Sequence, residues 1–279
     1  MKILTIVHFF YKEQWNEIKQ CLFNIAKFDD IELFVTMPED NNSFKKEIYE
    51  SFSNAHIKIV DNIGYDIWPF LDIINSINLD NYDILVKLHT KRDLTPSAVL
   101  KNVNIGGSFW RDNLLEFCKT PQAWEKTRTF FLTDEKTGLV SNDFCIFNER
   151  CDPSRKIYPH IKNILKDMNF SYSSSYYFIA GSIFAARPFL FKWIQGKYSE
   201  KDFFRADKDH SENMAHYIER VLGYAICSQG YSFRSVSNAK YKFIYYIKYA
   251  KRFIYKKRLI IILLFIVLLI LFNHKHINI

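Results

Sequence analysis

Residues 82–92, YDILVKLHTKR, combine an apolar stretch with ionisable side chains at alternating positions. In a strand, successive side chains point to opposite faces, so Ile84, Val86 and Leu88 share one face. The other face carries Lys87, His89 and Lys91 near the carboxyl end, where ligands bind to open α/β sheets. A departing diphosphate requires positive charge of this kind. The alternative is an exposed edge strand, but the apolar face favours a central strand with Lys87 and His89 in a cleft.

Residues 62–74, NIGYDIWPFLDII, have the composition of a strand-to-helix turn. Gly64 can adopt a backbone conformation denied to other residues, which allows a ligand to approach closely. Asp66 precedes the helix, and Pro69 is tolerated in its first turn. Two roles are therefore open for Asp66: it caps the helix, or it forms a hydrogen bond with the ribose or base of a nucleotide.

Residues 212–223, ENMAHYIERVLG, have helical periodicity. Glu212, His216 and Glu219 fall on one face, while an apolar stripe falls on the opposite face. That stripe consists of Met214, Ile218, Val221 and Ala225. A helix with a buried back and an ionisable front can supply a general base to a cleft, although a solvated polar face is the simpler alternative. Arg220 is a candidate phosphate ligand, but it can equally pair with a nearby carboxylate.

Strand-like and helix-like segments alternate through the first 90 residues, beginning with a β-α-β unit at residues 2–37. The second half contains four further predicted helices, a short strand at 137–140 and a β-rich segment at 176–186. This order predicts an α/β fold with a mostly parallel central sheet and helices on both faces. The only sharp change in composition precedes the last 40 residues. We therefore expect one domain over residues 1–239 and a tail over residues 240–279.

The charge of the chain is concentrated in that tail. The 279 residues have a net charge of +8, yet nine of the 38 Lys and Arg and none of the 30 Asp and Glu lie in residues 240–279. The remainder is about neutral, which argues against a nucleic-acid-binding domain. The tail's cations precede an uncharged run at 259–272, a pattern that predicts membrane association with the body on the cytoplasmic face of the inner membrane. A buried C-terminal helix is the alternative.

The opening segment and the cysteines have simpler interpretations. The opening MKILTIVHFFYKE contains a His in its apolar run and lacks a small-residue cleavage site, so it is expected to form a strand and not a signal peptide. The five cysteines form no CxxC pair and are odd in number. They predict ordinary thiols of a reducing compartment, without a zinc site or a disulfide framework.

The motifs considered together resemble the rhamnan synthesis protein F family of bacterial surface-polysaccharide enzymes. In chain order they are NIGYDIWPF, VKLHTKR, Trp110-Arg111, FIAGSIFAAR and AHYIER. The resemblance covers roughly residues 55–225. It implies a nucleotide-sugar-dependent transferase of GT-A type, with a dTDP-rhamnose-type donor and a glycan or lipid-linked glycan acceptor. It also places Trp110 and Arg111 among the donor-binding residues.

The sequence departs from the expected pattern at two places. Phe184-Ala185-Ala186-Arg187 has small residues where larger aromatic ones are common, which affects acceptor preference. Many GT-A enzymes hold a divalent metal with an Asp-x-Asp pair, but here residues 80–83 precede the strand and its exit is cationic. We therefore expect no cofactor, with protein cations in the place of the metal, while Mg²⁺ or Mn²⁺ stays open.

The expected mechanism is direct displacement at the anomeric carbon of the donor. Glu219 or His216 would accept the acceptor's proton, with Asp66 as the next candidate, and three cations of the strand would stabilise the diphosphate. Those cations are Lys87, His89 and Lys91, with Arg187 and Arg220 as further candidates. Gly181 and Ser182 would lie under the acceptor, unless they form a simple turn. The rivals are a catalytically silent glycan- or nucleotide-binding subunit and a membrane-bound assembly protein.

Overall fold

The computed structural model describes residues 1–100, 103–150, 152, 155–205 and 213–237, and six isolated positions beyond residue 242. The α-helices are α1 (Trp15–Ala26), α2 (Asn42–Ser51), α3 (Ile67–Asn75), α4 (Phe109–Leu115), α5 (Pro121–Thr133), α6 (Tyr158–Asp167) and α7 (Met214–Ser228). The strands are β1 (Lys2–His8), β2 (Asp30–Met37), β3 (His56–Ile59), β4 (Ile84–His89), β5 (Val99–Leu100), β6 (Val103–Asn104), β7 (Thr137–Ser141), β8 (Ile146–Phe147), β9 (Phe178–Ile179), β10 (Phe184–Ala186) and β11 (Ser232–Ser235).

Seven strands form the central sheet in the order β11-β7-β10-β4-β1-β2-β3. Every neighbouring pair is parallel except the two that involve β10, which runs antiparallel to β4 and β7. The predicted α/β fold with a mostly parallel sheet is therefore confirmed. Because β10 runs in the opposite direction, the residues just before it lie at the same edge as the carboxyl ends of β1 and β4. This edge is called the carboxyl edge below, and the opposite one the amino edge.

The apolar patterns of the sequence account for the central elements. All six residues of β4 are buried, and β4 lies between β1 and β10, so the predicted central strand is confirmed. The spacing of Trp15, Ile18, Leu22 and Ile25 gives α1 one buried face. The apolar stripe of α7 is buried at Ile218, Val221 and Ala225 and half-buried at Met214. The strand β11, at the end of the sheet, was not predicted.

The chain divides into two compact units. The first consists of residues 1–92 and 111–237 and contains the sheet. The second consists of residues 93–110 and 238–279, and its described part includes the antiparallel β5–β6 hairpin, with Leu94 and Gly107 bridged at its base. The predicted domain boundary after residue 239 stays a prediction.

The predicted tail lies almost wholly outside the described residues, and the uncharged run at 259–272 is entirely outside them. Within the described part of the chain, no helix has the length and apolar character needed to cross a membrane. Cys21, Cys118, Cys145 and Cys227 are free thiols, as the sequence predicts, and Cys151 falls outside the described residues.

Candidate functional site

A buried ion pair occupies the carboxyl edge of the sheet. The Lys87 ammonium donates to the Asp66 carboxylate and to the carbonyl and hydroxyl oxygens of Ser182, at 3.1 and 3.0 Å. The Ser182 hydroxyl donates to the same carboxylate oxygen of Asp66. Three hydrogen bonds engage all three N–H groups of the ammonium. The carboxylate of Asp66 forms no capping bond to α3, so the capping interpretation of this residue is wrong.

Burial and charge act in opposite directions on this pair. Burial raises the pKa of Asp66, but the neighbouring His89, Lys87 and Lys91 outweigh it and hold the pKa well below its usual range. Burial lowers the pKa of Lys87, and the adjacent Asp66 carboxylate only partly restores it. Asp66 is therefore a carboxylate at neutral pH and a weak proton acceptor.

Two histidines lie side by side at the ends of β1 and β4, where His8 and His89 are register partners. Burial lowers the pKa of His8 to about 3 and that of His89 to about 4, so both imidazoles are neutral at pH 7. The sequence predicts that His89 is a cation facing a diphosphate. The structure does not support that contact, because the ring is enclosed by protein and both nitrogens face protein atoms, 3.0 and 2.8 Å from the carbonyl oxygens of Thr90 and Gly181. A neutral ring donates to one of these two carbonyls.

Helix α7 presents Glu219 and His216 to the same edge. One oxygen of Glu219 accepts a hydrogen bond from the Gly181 amide at 2.7 Å, and the other accepts from Arg220 at 3.0 Å. The His216 ring lies against Tyr65, with 5.7 Å between the ring centroids. Its Nδ1 is buried and forms no hydrogen bond within the described part of the chain. Burial lowers the pKa of His216, so the ring is neutral at pH 7 and can accept a proton. Glu212, the third predicted member of this face, lies outside the described residues.

Strained backbone flanks the ion pair on both sides. Tyr65 and Ser182 have φ angles of 55° and 48°, values that L-residues with a side chain rarely adopt. Such strain persists only where the surrounding structure enforces it, and it concentrates at functional sites. Gly64 has a φ of 64°, and a Cβ there would lie 2.7 Å from the Trp68 Cβ. Its missing side chain therefore makes room for Trp68, and not for a ligand as the sequence predicts.

The exit of β4 is held rigidly. The Thr90 hydroxyl accepts hydrogen bonds from the Phe10 and Tyr11 amides, both at 2.9 Å. The Gln14 side-chain amide accepts a hydrogen bond from the Lys91 N–H and donates one to the Lys91 carbonyl. The same carbonyl also accepts a hydrogen bond from Arg111 at 3.0 Å. No ion pair engages the Lys91 ammonium in the described ranges, although its charge acts on Asp66, His89 and His216.

The two residues of the Trp110-Arg111 motif have internal roles. The Arg111 guanidinium donates both to the Lys91 carbonyl and, at 2.7 Å, to the Glu17 carboxylate. Arg111 therefore positions the Lys91 backbone. Trp110 is buried at the start of α4. A direct contact of either residue with a donor stays a prediction.

Two arginines proposed as phosphate ligands are engaged inside the protein. Arg187 donates to the carbonyls of Thr137, Phe131 and Asp134 at 2.8 to 3.2 Å. Because β10 is antiparallel, this residue lies at the amino edge, so the sequence placed it at the wrong end of the sheet. Arg220 is buried and donates to Asp152 at 2.7 Å, which confirms the local-carboxylate alternative.

The acidic stretch before β4 also lies at the amino edge. Asp83 accepts a hydrogen bond from the Lys2 amide at 2.8 Å, and Asp80 pairs with Lys192. Across the described ranges, no group of three or more His, Cys, Asp or Glu side chains is arranged to hold a metal ion. Asp66 and Glu219, two carboxylates that do reach the carboxyl edge, come from other elements, and both are engaged by protein groups.

Sequence analysis missed two features of this edge. His8 was noted only as a polar residue within an apolar run, although that mismatch was the available signal. Two adjoining cavities of about 140 and 360 Å³ open beside the ends of β1 and β2, and both are lined by Lys12, Glu13, Asn41 and Phe44. Their residues come from two separate stretches of the chain, 9–16 and 37–47, so no local motif marks them.

The chain matches one protein family over most of its length and is more weakly similar to individual known proteins. The chain is 25% identical over 189 residues to the uncharacterized protein WxcX of Xanthomonas campestris pv. campestris, strains B100 and ATCC 33913. That match covers 65% of this chain but only 25% of WxcX, so the chain spans about a quarter of the length of these relatives. Among solved structures, glucosyl-3-phosphoglycerate synthase from Mycobacterium tuberculosis, in complex with Mn²⁺, UDP and glucosyl-3-phosphoglycerate, is similar with a TM-score of 0.33 and 14% identity. It covers 67% of this chain and 57% of that one, and so weak a likeness carries no argument. The family model of rhamnan synthesis protein F matches residues 1–231, and the chain therefore belongs to the rhamnan synthesis protein F family.

Proposed function

We propose that the chain is a glycosyltransferase that moves a sugar from a nucleotide-diphosphate donor onto a growing surface polysaccharide. Its family, named for rhamnan synthesis, supports a role in sugar transfer. The observation that carries the proposal is the arrangement at the carboxyl edge. There a neutral His216, whose Nδ1 has no partner among the described residues, and Lys91, whose backbone is held by Gln14, lie around the Lys87–Asp66 pair. A proton acceptor and a cation on one edge are what a displacement of diphosphate requires.

The donor would bind across the ends of β1, β2 and β4. Its nucleoside would lie in the adjoining cavities, whose shared lining consists of Lys12, Glu13, Asn41 and Phe44. The Lys91 ammonium is a cation available for the diphosphate, whereas Lys87 is fully engaged by Asp66 and Ser182. The buried pair would instead fix the Tyr65–Asp66 turn and the Gly181–Ser182 turn against each other.

His216 is the best candidate for the base. A neutral imidazole can accept, at its unprotonated nitrogen, the proton of an acceptor hydroxyl as that oxygen attacks the anomeric carbon. The bond from that carbon to the diphosphate breaks in the same step. Glu219 is less suited because both of its oxygens already accept hydrogen bonds, and Asp66 is less suited because its pKa is held low.

The finer features of the function extend this proposal. A rhamnose-type donor carried on dTDP, a glycan or lipid-linked acceptor and a GT-A-type fold are what family membership suggests. The nine cations of residues 240–279 support association with the cytoplasmic face of the inner membrane. Removing these residues should release the protein from membranes, and a full-length protein that is soluble at low salt would contradict this part.

A panel of nucleotide sugars tests the proposal in two steps. A true donor should raise the melting temperature in proportion to its concentration over its dissociation constant, and it should then be consumed in the presence of an acceptor glycan. Because the acidic stretch before β4 lies at the amino edge, we expect turnover to persist in excess EDTA. Loss of turnover in EDTA and its recovery with Mg²⁺ or Mn²⁺ would overturn the metal-independent mechanism.

One observation favours a second candidate, a catalytically silent subunit that binds glycans or nucleotides. Among the cations that the sequence predicts for the diphosphate, three are engaged by protein groups: Lys87, Arg187 and Arg220. Lys91 then remains as a candidate contact for a donor. The same donor panel separates the two functions. A silent subunit would show a thermal shift with the donor but no consumption of it with any acceptor.

A further inference from the structure

A groove separate from the ion pair opens between β9 and the edge strand β11, with a cavity volume of about 730 Å³. Four aromatic side chains line it: Tyr176, Tyr177, Tyr231 and Phe233. Its polar lining includes Asp143, Ser175 and Ser232. We call this feature the aromatic groove. Tyr177 is 43% exposed, and its ring lies 6.3 Å from that of Phe233, at an interplanar angle of 44°.

The two aromatic walls are fixed by the fold. At Gly223 of α7, a Cβ would lie 2.5 Å from the Tyr177 carbonyl oxygen and 2.6 Å from the Phe178 Cα. Glycine therefore lets the helix and the Tyr177 backbone approach each other closely. On the other wall, the Tyr231 ring packs against Phe189 at 5.8 Å and lies 5.6 Å from the Lys136 ammonium. The groove thus exists before any ligand binds.

The chemistry of this lining matches a neutral carbohydrate. Aromatic faces contact the C–H faces of sugar rings, while hydroxyl and carboxylate oxygens bind sugar hydroxyl groups. Asp143 is the only ionisable carboxylate in the lining, and no Lys or Arg lines it within the described residues. The nearest cation described above, Lys136, lies against the ring of Tyr231 and is not part of the lining, so the lining itself suits a neutral ligand better than a nucleotide. A deoxysugar, which has a methyl group in place of a hydroxyl, suits such a surface better than a fully hydroxylated sugar.

The groove is close to the candidate site along the chain. Tyr177 precedes Gly181 by four residues, so their Cα atoms are at most about 14 Å apart. Between them, Phe178 and Ile179 form β9, which pairs with β8. We infer that the aromatic groove binds the acceptor glycan and directs its end toward the Gly181–Ser182 turn. This inference rests on the proposed function, which it deepens by giving the acceptor a binding site.

The test compares two matched aromatic residues. Tyr177→Ala removes an exposed ring of the groove, and Tyr49→Ala removes an equally exposed ring, 44%, on α2. Binding of a short rhamnose oligosaccharide to the full chain is measured directly by calorimetry, without any donor. Tyr177→Ala should weaken binding at least tenfold, whereas Tyr49→Ala and Tyr177→Phe should bind as the unchanged protein does. Melting temperatures verify that all three variants are folded.

The outcomes separate this inference from the proposed function. If Tyr177→Ala weakens oligosaccharide binding and Tyr49→Ala does not, the inference holds even where no donor is consumed. If sugar transfer occurs but Tyr177→Ala leaves oligosaccharide affinity and the acceptor KM unchanged, the inference is wrong and the proposed function stands. It is equally overturned if the unchanged protein binds no oligosaccharide at about 10 mM, a concentration that detects even millimolar affinity. Binding of a peptide strand along β11, in place of a glycan, would also overturn it.

Discussion

The two edges of the central sheet both carry lysine–aspartate pairs, but in opposite environments. At the carboxyl edge, Lys87 is 1% exposed and is held by Asp66 and Ser182. At the amino edge, the Lys192 and Asp80 side chains are 45% and 58% exposed. Strained backbone occurs beside the first pair, at Tyr65 and Ser182. An exposed pair contributes little to folding, whereas a buried pair persists only with further hydrogen bonds, so burial and strain make the carboxyl edge the candidate functional edge.

The largest difference should appear when one partner of each pair is removed. Lys87→Met leaves the Asp66 carboxylate, which is only 16% exposed, without its lysine partner, and this should lower the free energy of unfolding by about 3–5 kcal/mol. Lys192→Met should change it by no more than about 1 kcal/mol. Denaturant unfolding of both variants measures the contrast. Equal losses would mean that burial does not distinguish the two edges.

Acid should destabilise the protein through the carboxyl edge. The pKa values of His8 and His89 are about 3 and 4 when folded, below the value of about 6.5 expected in an unfolded chain. The unfolded state therefore binds more protons between about pH 6.5 and 4, and stability falls as the pH falls through that window. Each histidine should contribute a slope of up to about 1.4 kcal/mol per pH unit.

The variant His8→Asn separates the contribution of one histidine. It should reduce the slope of unfolding free energy against pH by roughly half, because His89 continues to titrate. Asp66 acts in the same direction only below its unfolded pKa of about 3.9, since its folded pKa is lowered. An unchanged slope in His8→Asn would show that His8 is not neutral in the folded protein.

The two ionisable residues of α7 should differ in their effect on turnover. His216→Ala should lower the turnover number by roughly a hundredfold or more, with donor affinity nearly unchanged. Glu219→Gln keeps an oxygen for the Gly181 amide and should cost less than about tenfold, well short of the loss of a general base. Steady-state kinetics with a donor identified by thermal shift measures both. The reverse order of effects would move the base to Glu219.

The smallest effect is expected at the exit of β4. Lys91→Ala should weaken donor binding by about tenfold, the loss of one partly exposed charge contact, without changing the melting temperature. The matched control at the amino edge is Lys192→Ala, which should leave donor affinity as it is. If both variants bind the donor equally well, Lys91 does not contact the diphosphate.

The fold could be predicted where apolar patterns were strong. The alternation in residues 84–89 correctly indicated a buried central strand, and the helical spacing from Trp15 to Ile25 correctly indicated α1. The strand β11 was missed because Ser232–Ser235 is short and polar and pairs with β7, about 95 residues earlier. A pairing of that kind leaves no local periodicity in the sequence.

The site could be predicted in part. Lys87 and His89 share a face because alternation in a strand is a local property, and Asp66 joins them because β3 and β4 deliver their exits to one edge. The charge of His89 and the position of Arg187 were wrong for reasons that lie outside any local segment. Burial decides the first, and the antiparallel direction of β10 decides the second.

The sequence by itself determined which side chains share a strand or a helix face, because those relations depend only on the periods of two and 3.6 residues. It also determined the family, through the order of its motifs along the chain. Only the tertiary structure decided which groups are buried together, which cations are already paired and which buried nitrogen has no partner among the described residues. These depend on packing between segments that are far apart along the chain, such as Asp66 with Lys87, 21 residues away, and with Ser182, 116 residues away, and on the desolvation that accompanies it.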